Sequence, residues 1–521
     1  MLKNGLHLLR LTTVFRTLRR HRALFVFDYL PLPPFAGWLV KRLAKSGRAD
    51  KNGTRPGARL AAAFEELGPS YIKLGQTLSV RADLVGEEVA ADLALLRDGL
   101  PPFAAEIARA SIAAELGRPV EDLFESFDDE AVAAASIAQV HFAVTTEGEE
   151  VAVKVLRPGV EAAFRRDLDL FFWMARTAER LVPTLRRLRP VAVVETLRES
   201  VEREMDLRLE AAAACELAEN FAADETFRVP RIDWQRSGKR VLTAERVKGA
   251  PIDDLEALRA AGHDLPELAV RVIRVFLAQT LEHGFFHADF HHGNLFVAPE
   301  GTIVAVDFGI MGRLSRESRW YLAEILRAFV VGDWQRAAEA HFNAGYVPKS
   351  KSVEDFALAC RAIGEPIRGR PVNEISFGRL LAQLFEVTRT FDMQTQPQLL
   401  LLQKTMVTTE GLARSLDPET NFWAASHEPV EAWLQREIGP EAIAQDLAAA
   451  ARRAIEGLPL LAARIETALQ PKEPDAGLRL APETLAELAA LGATRRRPLL
   501  FALWTVAALL AALLVLRLAG G

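Results

Sequence analysis

The sequence has few cysteines, tyrosines and methionines, with 2, 4 and 6 of them among 521 residues. Cys215 and Cys360 lie far apart in the chain, which argues against a disulfide framework and indicates a reducing compartment. The formal net charge of -5 is small, so we expect no nucleic-acid partner. Apolar residues, in contrast, make up 50% of the chain, which is long enough for two or three domains and suggests contact with a membrane.

The first 50 residues are basic, with ten Lys and Arg against two Asp and Glu, and they are interleaved with apolar side chains. This pattern is typical of an amphipathic helix that lies on an anionic lipid surface. A solvated helix packed on the catalytic domain explains the pattern equally well. Both interpretations stay open at the level of sequence.

The C-terminal end contains a run of 18 residues without a charge, Leu499 to Leu516, which follows the triplet Arg495-Arg496-Arg497. As a helix the run would measure about 27 Å, just enough to cross the hydrocarbon core. We therefore predict a transmembrane anchor, with the Arg triplet and the catalytic body on the cytoplasmic side. A hairpin-like or interfacial anchor is the alternative.

The segment from His287 to Asn294 reads His-Ala-Asp-Phe-His-His-Gly-Asn, and Asp307-Phe308-Gly309 follows thirteen residues after the Asn. Protein kinases use this spacing to place a catalytic carboxylate and Mg²⁺ ligands around a phosphoryl group. Asp289 is the predicted group that orients or deprotonates the attacking hydroxyl, and Asn294 and Asp307 are the predicted Mg²⁺ ligands. A histidine metal cluster or a plain polar loop is the competing interpretation.

A predicted β-hairpin upstream carries Lys154 in Val-Ala-Val-Lys, the place of the kinase lysine that contacts the α and β phosphates of ATP. Before it, the position of the glycine-rich phosphate loop is taken by an alanine-rich loop without glycine. Alanine stiffens such a loop and adds methyl groups near the nucleotide, so we expect an altered phosphate cradle and weak or absent activity toward protein substrates. The candidate nucleotide contacts in the loop are Ala133, Ala134, Ala135, Ser136, Ile137, Ala138 and Gln139.

A long helical stretch follows, with Glu204, Asp206 and Glu210. On one continuous helix Asp206 and Glu210 would share a face, and Glu210 is the candidate partner that positions Lys154. Ordinary solvated acids are the alternative. Glu204 would then be available to a cation elsewhere, and Lys73, three residues before Gln76 on one predicted helix face, is the candidate.

These motifs resemble those of the UbiB/ADCK family of atypical protein-kinase-like proteins, over roughly residues 55 to 425. The resemblance implies an α+β, protein-kinase-like two-lobed fold with an N-terminal helical extension and a C-terminal transmembrane helix. In that fold the extension bearing Lys73 and Gln76 covers the active site, and Glu204 pairs with Lys73. Phe290 and His292 stand where the family usually has prolines.

The motifs and composition divide the chain into six predicted segments. These are a basic membrane-associated segment (1–50), the helical extension (51–120), the N-lobe (121–254), the helical C-lobe with its extension (255–470), a linker (471–497) and the anchor (498–517).

The resemblance further implies ATP and Mg²⁺ as cofactors and an ATPase-type activity linked to ubiquinone biosynthesis at the bacterial inner membrane. The expected partners are membrane lipid, prenylated phenol intermediates and ubiquinone biosynthesis enzymes. An older family label, 2-polyprenylphenol 6-hydroxylase, finds no flavin fingerprint or iron triad in these residues. Two other functions stay open: a phosphotransferase for small molecules, and a nucleotide-binding pseudokinase scaffold that assembles enzymes without turnover.

Overall fold

The architecture is taken from a computed structural model of the full chain. It describes residues 2–25, 55–79, 85–93, 96, 101–181, 190–365, 387, 390–393 and 397–438. All of these except Ile438 belong to the first of two units of the chain, Met1–Glu437.

The N-lobe is built around a five-stranded antiparallel sheet in the order β1-β3-β4-β6, with β2 paired to β3. Its strands are β1 (Phe124–Phe127), β2 (Ala133–Ala134), β3 (Ala138–Thr145), β4 (Glu150–Leu156) and β6 (Val241–Glu245). Alternating burial along β3 and β4 follows from the two-residue period of strand side chains. The predicted hairpin that carries Lys154 is therefore confirmed, and Gly148, at a φ of 84°, provides the left-handed residue of its turn.

Helices precede this sheet and form the N-terminal extension. They are α1 (Leu2–Arg20), α2 (Pro56–Leu67), α3 (Pro69–Ser79), α4 (Glu87–Leu93), α5 (Ala105–Leu116) and the short α6 (Val120–Leu123). Val14 and Leu18 of α1 share a hydrophobic core with Leu60 and Phe64 of α2. Arg10 of α1 also forms a bidentate pair with the buried Asp167, at 2.9 and 3.2 Å. For residues 2–25 the structure thus matches the interpretation of a helix packed on the body of the protein.

Three further helices lie between strands β4 and β6 in the chain: α7 (Val160–Leu181), α8 (Pro190–Glu204) and α9 (Leu207–Asn220). The sequence was expected to form one helix through Glu204, Asp206 and Glu210, and this expectation is wrong. The helix is interrupted at Met205 and Asp206, because the Asp206 side chain accepts a hydrogen bond from the Arg208 backbone N–H and caps α9. Asp206 and Glu210 consequently do not share a face of one continuous helix.

The C-lobe contains a four-stranded sheet in the order β5-β10-β9-β7 and a two-stranded sheet of β8 and β11. The strands are β5 (Phe227–Arg228), β7 (Ala250–Pro251), β8 (Phe285–His287), β9 (Leu295–Val297), β10 (Ile303–Ala305) and β11 (Met311–Arg313). The short segment between Asn294 and Asp307 forms an antiparallel hairpin of β9 and β10. β5 and β7 lie before residue 254 yet pair with C-lobe strands, so the boundary between the lobes is not a single point in the sequence.

The rest of the C-lobe is helical, as predicted. Its helices are α10 (Leu255–Ala260), α11 (Leu265–Leu277), α12 (Arg316–Val331), α13 (Trp334–Asn343), α14 (Val353–Gly364), α15 (Pro397–Leu416) and α16 (Phe422–Ile438). The central helix α11 is buried on most sides, and a π-helical turn, Ala278–His283, continues it toward the catalytic loop. α11 packs against α15 in the largest hydrophobic core of the protein. This core fixes the base on which the catalytic loop lies.

No helix in the described part of the chain is both long enough and apolar enough to cross a membrane. The predicted anchor at 498–517 and the linker at 471–497 lie outside the described residues.

Candidate active site

The Lys154 ammonium lies at the centre of the candidate site. Its Nζ atom is 2.7 and 3.0 Å from the two carboxylate oxygens of Glu210 and 3.1 Å from Oδ1 of Asp307. Strand β4 carries Lys154, helix α9 carries Glu210, and Asp307 follows β10. The structure thus joins three residues that are 56 and 153 positions apart in the chain, as the motifs predicted.

The charges of this cluster depend on one another. Burial opposes the charge of Lys154, but the Asp307 and Glu210 carboxylates outweigh it and raise the pKa of the amine. Burial raises the pKa of Glu210 to about 7, although Lys154 opposes the shift. Burial also acts against the Asp307 carboxylate, but the adjacent Lys154 charge keeps its pKa below the ordinary value. Asp307 is therefore ionised at neutral pH, as a metal ligand must be.

Asp307 has a φ of 61°, in the left-handed region that few residues other than glycine adopt. The next residue, Phe308, is buried in the C-lobe core, and its ring lies 5.5 Å from that of His287. Buried Phe308 and the Lys154 contact hold Asp307 at both ends. In kinases, the lysine–glutamate pair and the Asp of Asp-Phe-Gly with its Mg²⁺ must both be in place for activity, and the lysine–glutamate pair is formed here.

His287 supports the catalytic loop through hydrogen bonds of its ring nitrogens to backbone groups. It is fully buried, and burial lowers its pKa, so the ring is neutral. Its Nε2 lies 3.1 Å from the Val306 carbonyl, and its Nδ1 accepts the backbone N–H of Asp289 at 3.2 Å. Phe290 is also buried, in the C-lobe core, where it anchors the loop without a proline. The histidine is thus a structural support for Asp289.

Asn294 faces Asp289 across the loop. Its Nδ2 donates to the Asp289 carbonyl at 3.1 Å, and its own carbonyl accepts the backbone N–H of Val306 at 2.9 Å. The second bond places Asn294 beside the residue that precedes Asp307. A series of contacts that passes through the backbone of Val306 therefore links Asp289 and Asn294 to Asp307 and Lys154.

The two predicted Mg²⁺ ligands fit such an ion. With the Asn294 amide nitrogen engaged by Asp289, its oxygen is the atom left to face a cation, and Asp307 adds an ionised carboxylate. Mg²⁺ commonly takes one or two protein oxygens and completes its shell with phosphates and water. The described residues contain no group of three or more His, Cys, Asp or Glu that could hold a metal, so the predicted alternative of a histidine cluster has no support there.

The helical extension contributes a second buried pair. Lys73 Nζ on α3 lies 2.7 Å from Glu204 Oε2 at the end of α8, and both side chains are nearly inaccessible to solvent. This pair is the one that the resemblance implied. Gly75, between Lys73 and Gln76, lets α3 approach α2 closely, because a Cβ there would overlap the side chains of Leu96 and Phe64. Gln76 is half-buried on the same helix.

The alanine-rich loop forms a tight hairpin between β2 and β3, closed by a hydrogen bond from Ala135 N to the Ala138 carbonyl. None of its residues, 133 to 139, has a positive φ, so this backbone does not require glycine. Gln139 pairs with Val155 on the sheet, and Lys154 pairs with Val140, so Gln139 and Lys154 lie on opposite faces. The Gln139 amide instead bonds both backbone groups of Phe103, which argues against a direct nucleotide contact for this side chain.

One residue of the site was missed by the sequence reasoning. Lys404 on α15 places its Nζ 2.8 Å from Oδ1 of Asp289, across 115 residues of sequence. His291 Nε2 lies 3.4 Å from the other oxygen. Burial works against the Asp289 charge, but His291 and Lys404 outweigh it and hold its pKa well below the ordinary value. Lys404 is one of several exposed positions on a partly buried helix, so no local sequence pattern distinguishes it.

The site lies in parts of the chain that match known domain families. Residues 95–341 match the ABC1 atypical kinase-like domain, and residues 360–421 match the UbiB helical domain. A solved structure, the Rv3197–erythromycin complex from Mycobacterium tuberculosis, is similar at a TM-score of 0.50 and 24% identity. The matched region includes 76% of this chain and 97% of the solved chain, and at this level of identity it supports only the fold.

Bacterial relatives with the name probable protein kinase UbiB are considerably more similar in sequence. That of Aeromonas hydrophila subsp. hydrophila is 43% identical over 415 residues, which are 79% of this chain and 76% of the relative. The Marinobacter nauticus protein is 42% identical over 75% of this chain and 72% of its own length. The Azotobacter vinelandii protein is 41% identical over 83% of this chain and 79% of its own length. Similarity of this extent shows that the chain belongs to the UbiB family of atypical kinase-like proteins.

Proposed function

We propose that this protein is a membrane-anchored atypical kinase or ATPase that binds ATP with Mg²⁺ and serves ubiquinone biosynthesis. The observation that carries the proposal is the contact of Lys154 with both Glu210 and Asp307. A buried lysine held by two carboxylates is kept charged and fixed at the position where a kinase fold receives phosphates.

The residues of the site divide the work of phosphoryl transfer. Lys154 would contact the α and β phosphates, and Asp307 and Asn294 would hold Mg²⁺, which neutralises the charge of the phosphates when bound. Asp289 would orient the attacking hydroxyl or water through its carboxylate. Its low pKa makes it a weak base, so orientation is its main contribution.

The acceptor is proposed to be small or to be water. The helical extension is tied to α8 through Lys73 and Glu204, and Glu204 lies close enough to Glu210 to influence its pKa. An extension held this near the Lys154 cluster restricts the access of a folded protein substrate. This supports a role in which ATP turnover promotes the access of prenylated phenol intermediates to hydroxylation.

The proposed location is the bacterial inner membrane, with the body of the protein cytoplasmic. Support comes from the bacterial relatives and from the uncharged run of Leu499 to Leu516 behind three arginines. Lipid, phenolic intermediates and ubiquinone biosynthesis enzymes are the partners that such an anchor would bring within reach.

The test uses the full chain in detergent or lipid nanodiscs. We expect ATP binding that depends on Mg²⁺, and hydrolysis that increases with anionic liposomes and phenolic lipid mimics. Asp307→Asn should remove the Mg²⁺ dependence and lower cellular ubiquinone. Asp129→Asn, which alters a surface pair with Arg109, is the matched control and should behave like wild type.

Absence of nucleotide binding, together with normal ubiquinone in Asp307→Asn cells, would contradict the proposal. Mass spectrometry of the products separates the remaining possibilities. A phosphorylated small molecule would identify a phosphotransferase, whereas full ubiquinone synthesis in Asp289→Ala cells would identify a scaffold.

A further inference from the structure

The helical region of the chain reaches into the active site through one side chain. Lys404 lies on α15, within the residues that match the UbiB helical domain, yet its ammonium is 2.8 Å from the carboxylate of Asp289. The catalytic loop has two histidines between Asp289 and Asn294 but no lysine or arginine. The permanent positive charge next to Asp289 therefore comes from another part of the fold.

The position of Lys404 is determined by the packing of α15. Leu402 and Met406, on either side of it, are buried in the core that α15 shares with α11. Thr405 and Thr409 are also buried, and their hydroxyls donate to backbone carbonyls of the same helix. A helix fixed in this way has little freedom to shift, so the Lys404 side chain is directed to Asp289 by the core itself.

Four side chains contact the backbone or the carboxylate of Asp289. His287 accepts its backbone N–H, Asn294 donates to its carbonyl, and Lys404 and His291 each approach one carboxylate oxygen. Of the two cations, His291 is charged only when protonated, so the pairing of Asp289 depends chiefly on Lys404. The Asp289 side chain is 25% exposed and that of Lys404 is 47% exposed, so the pair is partly accessible to solvent.

The two catalytic carboxylates are thus matched by two lysines from different lobes. Lys154 on strand β4 contacts Asp307, and Lys404 on helix α15 contacts Asp289. In phosphoryl transfer, fixed positive charges near the reacting group contribute most to the rate, provided that they are already oriented before the reaction. Lys404 meets this condition, since it lies on a helix whose inner face, with Leu402 and Met406, is packed in the core.

We propose that Lys404 is a positioning residue of the phosphoryl-transfer site, which fixes Asp289 by an ion pair and makes turnover dependent on the helical domain. This inference rests on the proposed function and adds to it a residue, and a domain, that the kinase motifs do not include. Because Lys404 contacts Asp289 and Lys154 contacts Asp307, Lys404 should act on turnover and leave nucleotide affinity unchanged.

The experiment compares ATP affinity and steady-state hydrolysis for the full chain and its variants. Lys404→Met should lower kcat by at least about tenfold and leave the affinity for ATP–Mg²⁺ within about twofold of wild type. Lys404→Arg retains the charge and should recover most of the rate. Lys351→Met, which breaks a pair with Asp392 elsewhere in the C-lobe, is the matched control and should retain the wild-type rate.

A double-mutant cycle separates positioning from a general loss of structure. If Lys404 acts through Asp289, then Lys404→Met should have little further effect in the Asp289→Asn background. Equal losses in both backgrounds would overturn the proposal, as would Lys404→Met turnover close to that of wild type. The same hydrolysis by wild type and Lys404→Met would leave the proposed function intact, whereas wild-type protein that does not bind ATP would overturn both.

Discussion

Two buried lysine–glutamate pairs lie on either side of the break between α8 and α9, and their geometry is nearly the same. Lys154–Glu210 and Lys73–Glu204 each have a shortest N–O distance of 2.7 Å, with side-chain exposures of 15% and 8% in the first pair and 11% and 9% in the second. The pairs differ in where the lysine originates. Lys154 belongs to the sheet of the N-lobe, and Lys73 belongs to the helical extension.

The role of each buried pair therefore depends on the other groups that its lysine and glutamate connect. Lys154 also contacts Asp307, so it connects the N-lobe to the predicted Mg²⁺ ligand. Lys73 connects the extension to the end of α8, next to the residue that caps α9. We therefore expect the first pair to govern nucleotide binding and turnover, and the second to govern the attachment of the extension.

The largest effect is expected from Lys154→Met. The change removes the contact to the phosphates and leaves Glu210 and Asp307 without their shared cation, so turnover should fall by about 100-fold or more. Breaking a buried pair of this kind should also lower the free energy of unfolding by about 3–5 kcal/mol. ATP titration, hydrolysis and denaturation of the full chain measure these effects. If Lys154→Met keeps the ATP affinity and turnover of wild type, the two pairs do not differ in function as we propose.

A smaller effect on function is expected from Lys73→Met. The buried Glu204 loses its partner, so the free energy of unfolding should again fall by about 3 kcal/mol. ATP affinity, however, should stay within about twofold of wild type, because Lys154 and Asp307 are unchanged. Isothermal titration and denaturation distinguish the two quantities.

The control for Lys73→Met is a lysine–glutamate pair at the surface. Lys239–Glu161 has a similar distance of 2.8 Å, but it is substantially exposed, at 48% and 30%. Lys239→Met should change the free energy of unfolding by less than about 1 kcal/mol, since water compensates the loss. If it costs as much as Lys73→Met, burial is not the property that distinguishes the pairs.

The last expected effect concerns the pH dependence of stability and depends on Glu210 of the first pair. Glu210 has a pKa of about 7 in the folded protein against an ordinary value of 4.5, so the folded state binds this proton more tightly than the unfolded state does. Its contribution to stability is thus fully present below pH 4.5 and is lost as the pH rises to about 7. Relative to Glu210→Gln, which resembles the protonated form, wild type should lose up to about 3 kcal/mol over this window. Denaturation of both proteins at several pH values tests this, and parallel curves would show that Glu210 does not titrate there.

Local motifs could be predicted because their chemistry is contained in a few neighbouring residues. The strands around Lys154 and between Asn294 and Asp307 follow from alternating apolar residues and short turns, and both hairpins are present. The break before α9 was not predicted, since an aspartate can lie within a helix or cap the next one with the same sequence pattern. The opposite placement of Gln139 and Lys154 depends on strand register, which proximity in sequence does not reveal.

The amino-acid sequence alone specifies the residues available for phosphoryl transfer, because Lys154, Asp289, Asn294 and Asp307 occur at spacings that this chemistry requires. It also determined the family. Which lysine lies next to Asp289 and which next to Asp307 depends on how the chain folds. Lys404 lies 115 residues from Asp289, and the packing of α15 on α11, rather than any local pattern, brings the two together. Ion pairs between residues far apart in sequence depend on how the helices pack in the core, so they can be identified only from the folded structure.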